Sequence, residues 1–178
     1  EMDVAAERLR RTGVFRSVAL IEDEKVTAPD LLGITAKVVE EKTRRFGFGA
    51  EIASSEGAKV SGYWMHRNLL GGAERLRVDG SVSQIGAQNS GIDYTLGVTL
   101  ERPATLSRDT TASFRFQIEQ LNEKFFSTRS GVIGIGFSHF FSKKLTARVG
   151  AEFAFFDVSF DNTDTIFRNL AVPVGATW

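Results

Sequence analysis

The sequence predicts a mainly β fold: about eight antiparallel strands of a transmembrane β-barrel, preceded by part of a small α+β module. Three observations carry that prediction. Charge is unevenly distributed, the hydrophobic period changes from 3.6 to 2 along the chain, and the face opposite the apolar one is small and polar rather than densely charged.

Residues 1–45 hold nine acidic and nine basic side chains and one aromatic, Phe15, whereas 18 of the 19 aromatics lie beyond them. The boundary falls near Arg45 and separates a water-soluble unit, 1–45, from an aromatic-rich unit, 46–178. In the first unit Val4, Ala5 and Leu9, set among Glu7, Arg8, Arg10 and Arg11, predict an amphipathic helix of about ten residues that Gly13 ends in the left-handed conformation. Phe15 to Ile21 reads as a strand, Glu22 to Leu31 as a charged loop containing Pro29, and Gly33 to Glu41 as a second strand with Ile34, Ala36 and Val38 on one face. Helix, strand and strand are too little to bury a core alone, so this unit is expected to be the end of a βααββ module.

Beyond Arg45 each strand alternates. Phe46, Phe48, Ala50 and Ile52 oppose Gly47, Gly49 and Glu51 in the first (Phe46 to Ala53). The second is about Lys59 to Arg67. The third, Glu74 to Ala87, sets Leu76, Val78 and Val82 against Arg75, Arg77 and Asp79. Tyr94, Leu96 and Val98 mark the fourth, and Phe114, Phe116 and Ile118 the fifth. The sixth carries Ile133, Ile135, Phe137 and His139 and turns at Ser142-Lys143-Lys144 into the seventh, Leu145 to Phe155, whose alternation slips near Phe156 as if at a bulge. The eighth, Ile166 to Trp178, contains Pro173, which either weakens the strand assignment or marks a local break in pairing.

A soluble barrel points its apolar face inward and needs a charged exterior, but here the second face is Gly, Ser and Thr with isolated ions, which fits a wetted lumen. Trp64, Phe140, Phe141 and Trp178 stand at strand ends, where they read either as interfacial aromatics or as buried core. With strand one running outward, the outside connections are Ser54 to Ala58, Gln88 to Ser90, Asn122 to Arg129 and Asp157 to Thr165. The inside ones are Asn68 to Ala73, Pro103 to Asp109 and Ser142 to Lys144.

Other chemistry has little support. Lys and Arg total 22 and Asp and Glu total 22, so no net charge draws the chain to nucleic acid. Absence of cysteine excludes a disulfide framework and a thiolate metal site. His66 and His139 lie in separate strands without ligand spacing, and the glycines of Gly131-Val132-Ile133-Gly134-Ile135-Gly136 lack the strand-to-helix setting of a phosphate loop. No nucleophile, base and orienting group fall together, so no enzyme, metal or cofactor is expected.

Several stretches resemble the outer-membrane assembly factors of the TamA/BamA-like superfamily, the bacterial surface antigen family, in which periplasmic POTRA modules precede a sixteen-stranded barrel. Arg11-Thr12-Gly13-Val14-Phe15 is similar to the end of a POTRA helix and its next strand. Val38-Val39-Glu40-Glu41-Lys42-Thr43-Arg44-Arg45-Phe46-Gly47-Phe48-Gly49 is similar to the crossing from the last POTRA into strand one, and Arg67-Asn68-Leu69-Leu70-Gly71-Gly72-Ala73-Glu74-Arg75-Leu76 to the first periplasmic turn. The TamA branch looks closer than BamA. The resemblance implies the end of the last POTRA plus the first half of the barrel, in the bacterial outer membrane with residues 1–45 in the periplasm. It also implies insertion of β-barrel or autotransporter clients, and leaves open a partner anchored in the inner membrane.

The implied mechanism is strand templating, with Phe46, Gly47, Phe48, Gly49, Ala50 and Ile52 as the edge offered to a client strand. Gly47 and Gly49 either keep that strand easy to part or simply fit a crowded lumen. The two strands of the first unit could take a partner strand in the same way, or only pair with each other. Half a barrel has two open edges, so self-association of two copies is a further expectation. The rival readings are a passive pore or two-partner secretion transporter, and a soluble ligand-binding β-barrel.

Overall fold

The computed structural model describes residues 2–27, 31–88, 90–161 and 163–178. Its first unit is a helix, α1 (Met2–Arg11), and two antiparallel strands, β1 (Phe15–Thr27) and β2 (Leu31–Glu40). Gly13, at φ 72°, turns the chain out of α1. The buried side chains here are Ala6, Val14 and Val18, whereas Val4 is half exposed, so the helix presents Ala6 inward rather than Val4 and Ala5. The loop expected over Glu22 to Leu31 is corrected: Glu22 to Thr27 continues β1 and Leu31 begins β2, with a register shift between Glu22 and Val26 that admits the charged residues without ending the strand. Ala28, Pro29 and Asp30, where that loop also fell, lie outside the described residues.

The remainder is one antiparallel sheet. Eight strands follow one another in space as in sequence: β3 (Arg44–Ala53), β4 (Gly57–Arg67), β5 (Arg75–Ile85), β6 (Asp93–Arg102), β7 (Thr110–Asn122), β8 (Phe126–Ser142), β9 (Leu145–Phe160) and β10 (Thr163–Ala171). A ninth, β11 (Val174–Thr177), also pairs with β9 and continues the line of β10 in the same register. The expected eighth strand is thus two segments interrupted at Pro173. Gly150 opposite it donates its N–H to Pro173 O at 3.0 Å, and proline has no N–H to return. Among the described residues β3 pairs only with β4, and β10 and β11 only with β9, so the sheet has two open edges.

Register converts the alternation into two faces. One row runs across all eight strands as Phe46, Trp64, Val78, Val98, Phe116, Ile133, Phe153 and Leu170. The adjacent row on the other face is Gly47, Tyr63, Asp79, Gly97, Gln117, Val132, Ala154 and Asn169. The bulge expected near Phe156 is absent: β8 and β9 pair without a shift from Phe126–Phe160 to Phe140–Thr146. Phe156 simply points to the polar face, where its neighbours in register are Ser130 and Phe167. Strands β7, β8 and β9 also run further than expected, which shortens the outside connections; of the residues in those connections, Asn89 and Asn162 lie outside the described set.

The chain exposes 12880 Å². A compact water-soluble monomer of 19.6 kDa exposes about 8,600 Å². On the apolar face Phe46, Phe48, Ile52, Ile135, Val149 and Leu170 are all at least half exposed, and on the other face Phe160 and Phe167 are as well. No large side chain is fully buried among the described residues. A soluble barrel with an internal apolar core would bury these rows, which this open sheet leaves exposed.

Candidate functional site

Strand β3 is the edge that the sequence selects, and its hydrogen-bond phase decides what it can offer. Antiparallel partners alternate between pairs that exchange N–H···O bonds and pairs that do not. Arg67 N donates to Thr43 O at 2.7 Å, and the Gly47 carbonyl lies toward β4 beside Gly62. Odd-numbered residues of β3 therefore bond to β4. The N–H and C=O groups of Arg44, Phe46, Phe48, Ala50 and Ile52 point the other way, along the free edge. Their side chains share the apolar face, where Phe46 is 75%, Phe48 88% and Ile52 88% exposed.

The six residues expected at the templating edge thus divide. Phe46, Phe48, Ala50 and Ile52 carry outward backbone groups, whereas Gly47 and Gly49 use theirs on β4. Gly47 is glycine for a packing reason: a Cβ there would stand 2.6 Å from Tyr63 Cε1, because the Tyr63 ring lies over it. Arg77 stacks on the same ring, 4.3 Å from its centroid, and its Nε donates to Asp79 Oδ1 at 3.3 Å. Gly49 meets only Ser61 Oγ, at 3.3 Å. At Gly47, then, the crowded polar face accounts for the glycine better than ease of parting does.

Below the edge, the turn between β4 and β5 is built around Glu74, which is 3% exposed. Its Oε2 accepts N–H groups from Gly72 at 3.0 Å and Leu70 at 3.2 Å, and Arg102 Nε lies 3.6 Å from Oε1. Burial pushes this carboxyl up, but the backbone donors, aided by Arg102, outweigh it and hold it below the usual range. The turn needs such a fastening because Asn68 and Ala73 both take positive φ, 58° and 65°.

A second cluster ties α1 to the same end of the sheet. Arg8 grips Asp109 with Nε at 3.1 Å and Nη2 at 2.7 Å, Arg11 shares that carboxylate, and the Arg11 guanidinium stacks 3.8 Å from the Phe140 ring centroid. Lys143 adds a looser pair with Glu7 at 3.6 Å. Hydrogen bonds from Arg8, ahead of the opposing effect of burial and then joined by Arg11, hold the Asp109 carboxyl below its ordinary range. Nothing in sequence spacing joins Arg8 to a residue in the turn between β6 and β7. The two histidines stay apart: His66 tilts against Trp64, and His139 Nδ1 lies 2.7 Å from Thr110 Oγ1.

A small α+β unit fastened to the rim of an open, amphipathic antiparallel meander defines the fold class: a mainly β, barrel-type antiparallel sheet with an adjoining helix and two-stranded ribbon. No protein-family model matches the chain, and no curated protein matches it. Among solved structures it is similar to the crystal structure of BamA from Haemophilus ducreyi lacking POTRA domains 1–3, with a TM-score of 0.64 and 13% identity over 98% of this chain. The chain spans 36% of that protein. At this identity the likeness is one of fold, and it agrees with a BamA-like barrel portion.

Proposed function

We propose that this chain is part of an outer-membrane assembly factor in which residues 1–45 form the end of a periplasmic POTRA-like module. In this reading 46–178 form the first half of a barrel, and β3 templates incoming strands of β-barrel or autotransporter clients. One observation carries the reading: the free ladder on Arg44, Phe46, Phe48, Ala50 and Ile52, on a strand whose side chains are almost wholly exposed. An extended client segment would satisfy that ladder through its main chain, so affinity would depend little on client sequence. In hydrocarbon the incentive is strong, because unpaired backbone groups cannot turn to water.

The dimensions support a membrane setting. On β8 the apolar face runs between Arg129 and His139, ten residues apart; at about 3.4 Å per residue and a tilt of about 40° that spans about 26 Å, the height of the apolar band of such barrels. The structural likeness is to BamA, while the sequence motifs favour the TamA branch and hence autotransporter clients. Templating needs no nucleotide and no catalytic group. Edge pairing of two copies, and a partner reaching from the inner membrane to residues 1–45, belong to the same proposal.

The test is client folding in liposomes. The refolded chain should speed insertion of an unfolded β-barrel protein, and Phe48→Pro, which deletes one outward N–H but none used by β4, should lower that acceleration about fivefold, the worth of one net hydrogen bond. Equal acceleration by both would sink the template. Steady ion conductance without any acceleration would favour the passive pore or two-partner secretion transporter.

A further inference from the structure

We propose that the apolar face carries a binding site for an acyl-chain lipid with an anionic phosphate headgroup, seated over Gly62 and Gly80 with its phosphate on Arg129. This inference rests on the reading that the apolar face meets lipid. Gly62 and Gly80 are register partners on β4 and β5, and between taller neighbours they floor a hollow of about 830 Å³. That volume lies in the range of small-molecule sites. Its walls are mostly apolar or amphipathic, with Phe48, Val60, Tyr94, Leu96, Ile118 and Phe155; Glu119 also lines it, its carboxylate accepting from Thr95 Oγ1 at 3.4 Å on the polar face. The Phe155 ring leans over Gly131 and closes one end.

Among the described residues Arg129 is the only cation lining this hollow. It lies in the row of Tyr94 and Gln120, where the apolar face gives way to polar residues at the outer end of the strands. Asp157 stands opposite it in register, but among the described residues no ion pair joins them, and Asp157 does not line the hollow. An exposed guanidinium at the top of an apolar trough is complementary to an amphiphile whose chain fills the trough and whose phosphate accepts the fork of donors. A zwitterionic lipid could fill the trough too, but its own cation would compete for the phosphate. The site therefore discriminates by headgroup, and the hollow supplies retention.

Spin-labelled phosphatidic acid and spin-labelled phosphatidylcholine, compared as the motionally restricted fraction around the full chain in phosphatidylcholine bilayers, test this. The expected result is about a fivefold preference for phosphatidic acid, the factor that one basic residue contributes near an anionic surface. Arg129→Gln should abolish the preference and Arg129→Lys should keep most of it. Gly80→Leu should reduce restricted lipid of both kinds; a Cβ there meets nothing closer than Thr95 O at 3.4 Å, so the fold tolerates it. Restricted lipid without headgroup preference, or a preference that survives Arg129→Gln, overturns the site and leaves the lipid-facing reading intact. No restricted lipid at all overturns both.

Discussion

The two edges of the sheet present the same outer ladder but are held to the sheet differently. At β3 every residue from Arg44 to Ala53 has a partner on β4, without a bulge. At the other edge, pairing with β9 is broken between Ala171 and Val174, and Pro173 sits where an N–H should point at Gly150 O. That missing donor faces inward. The outward groups of Ile166, Arg168, Leu170, Val172, Val174 and Ala176 are untouched by it, so the proline loosens the strand from its own sheet without blunting its free side. Gly150 answers the proline sterically, since a Cβ there would lie 3.3 Å from Pro173 Cγ and 2.8 Å from Ile135 O. Edge strength and edge availability are separate properties, set by residues of opposite parity.

Breaking the comparison is the largest test. Gly49→Pro should make β3 resemble the other edge, removing an N–H directed at β4 and costing about 2–3 kcal/mol, read by urea unfolding in micelles, while Phe48→Pro next to it costs under about 1 kcal/mol. Equal losses would refute the assigned hydrogen-bond phase. Glu74→Ala should come next, at about 1–2 kcal/mol, because the Leu70 and Gly72 N–H groups lose their acceptor and the turn carrying β4 into β5 slackens. Pro173→Ala should work in the opposite direction, tightening β11 by about 1 kcal/mol. Amide exchange at Gly175 and Thr177 would slow accordingly, and unchanged exchange would show that the proline is not what loosens this edge.

The smallest effect concerns α1. Because Asp109 is depressed in the folded state, its grip on Arg8 and Arg11 is fully present above the ordinary carboxylate range and is lost as pH falls through the depressed folded value. Distances between labels on α1 and on the turn after β6 should therefore lengthen only in strong acid, and Asp109→Asn should lengthen them at neutral pH. A helix that stays docked in that variant would assign the contact to Phe140 stacking instead.

How much of this was legible in sequence depends on which groups carry the information. Side-chain alternation announced the eight strands and both faces, because a pleated strand sorts side chains with period two, and Pro173 was visible as a break. The smaller unit was harder: Glu22 and Asp23 read as loop residues, yet an exposed two-stranded ribbon accommodates charge on both faces. Phe155 and Phe156 suggested a bulge where only a change of face composition exists. Backbone phase left no side-chain signal, so Gly47 and Gly49 were grouped with residues whose carbonyls point the opposite way. The Arg8 and Arg11 contacts with Asp109 join residues about a hundred positions apart, and Arg129 is conspicuous only once the hollow beside it is known.

One consequence of the register remains. On β3, Arg44 apart, the residues with outward backbone groups are also those with apolar side chains, and the same holds for most of β10 and β11. In the proposed role, a newcomer bonded to such an edge in the matching phase would extend the greasy surface, while one displaced by a single residue would turn its polar side chains to that face. Under the proposed templating role, an edge of this kind would screen strands by rhythm alone: it would ask which residues are apolar in alternation, and never which residues they are.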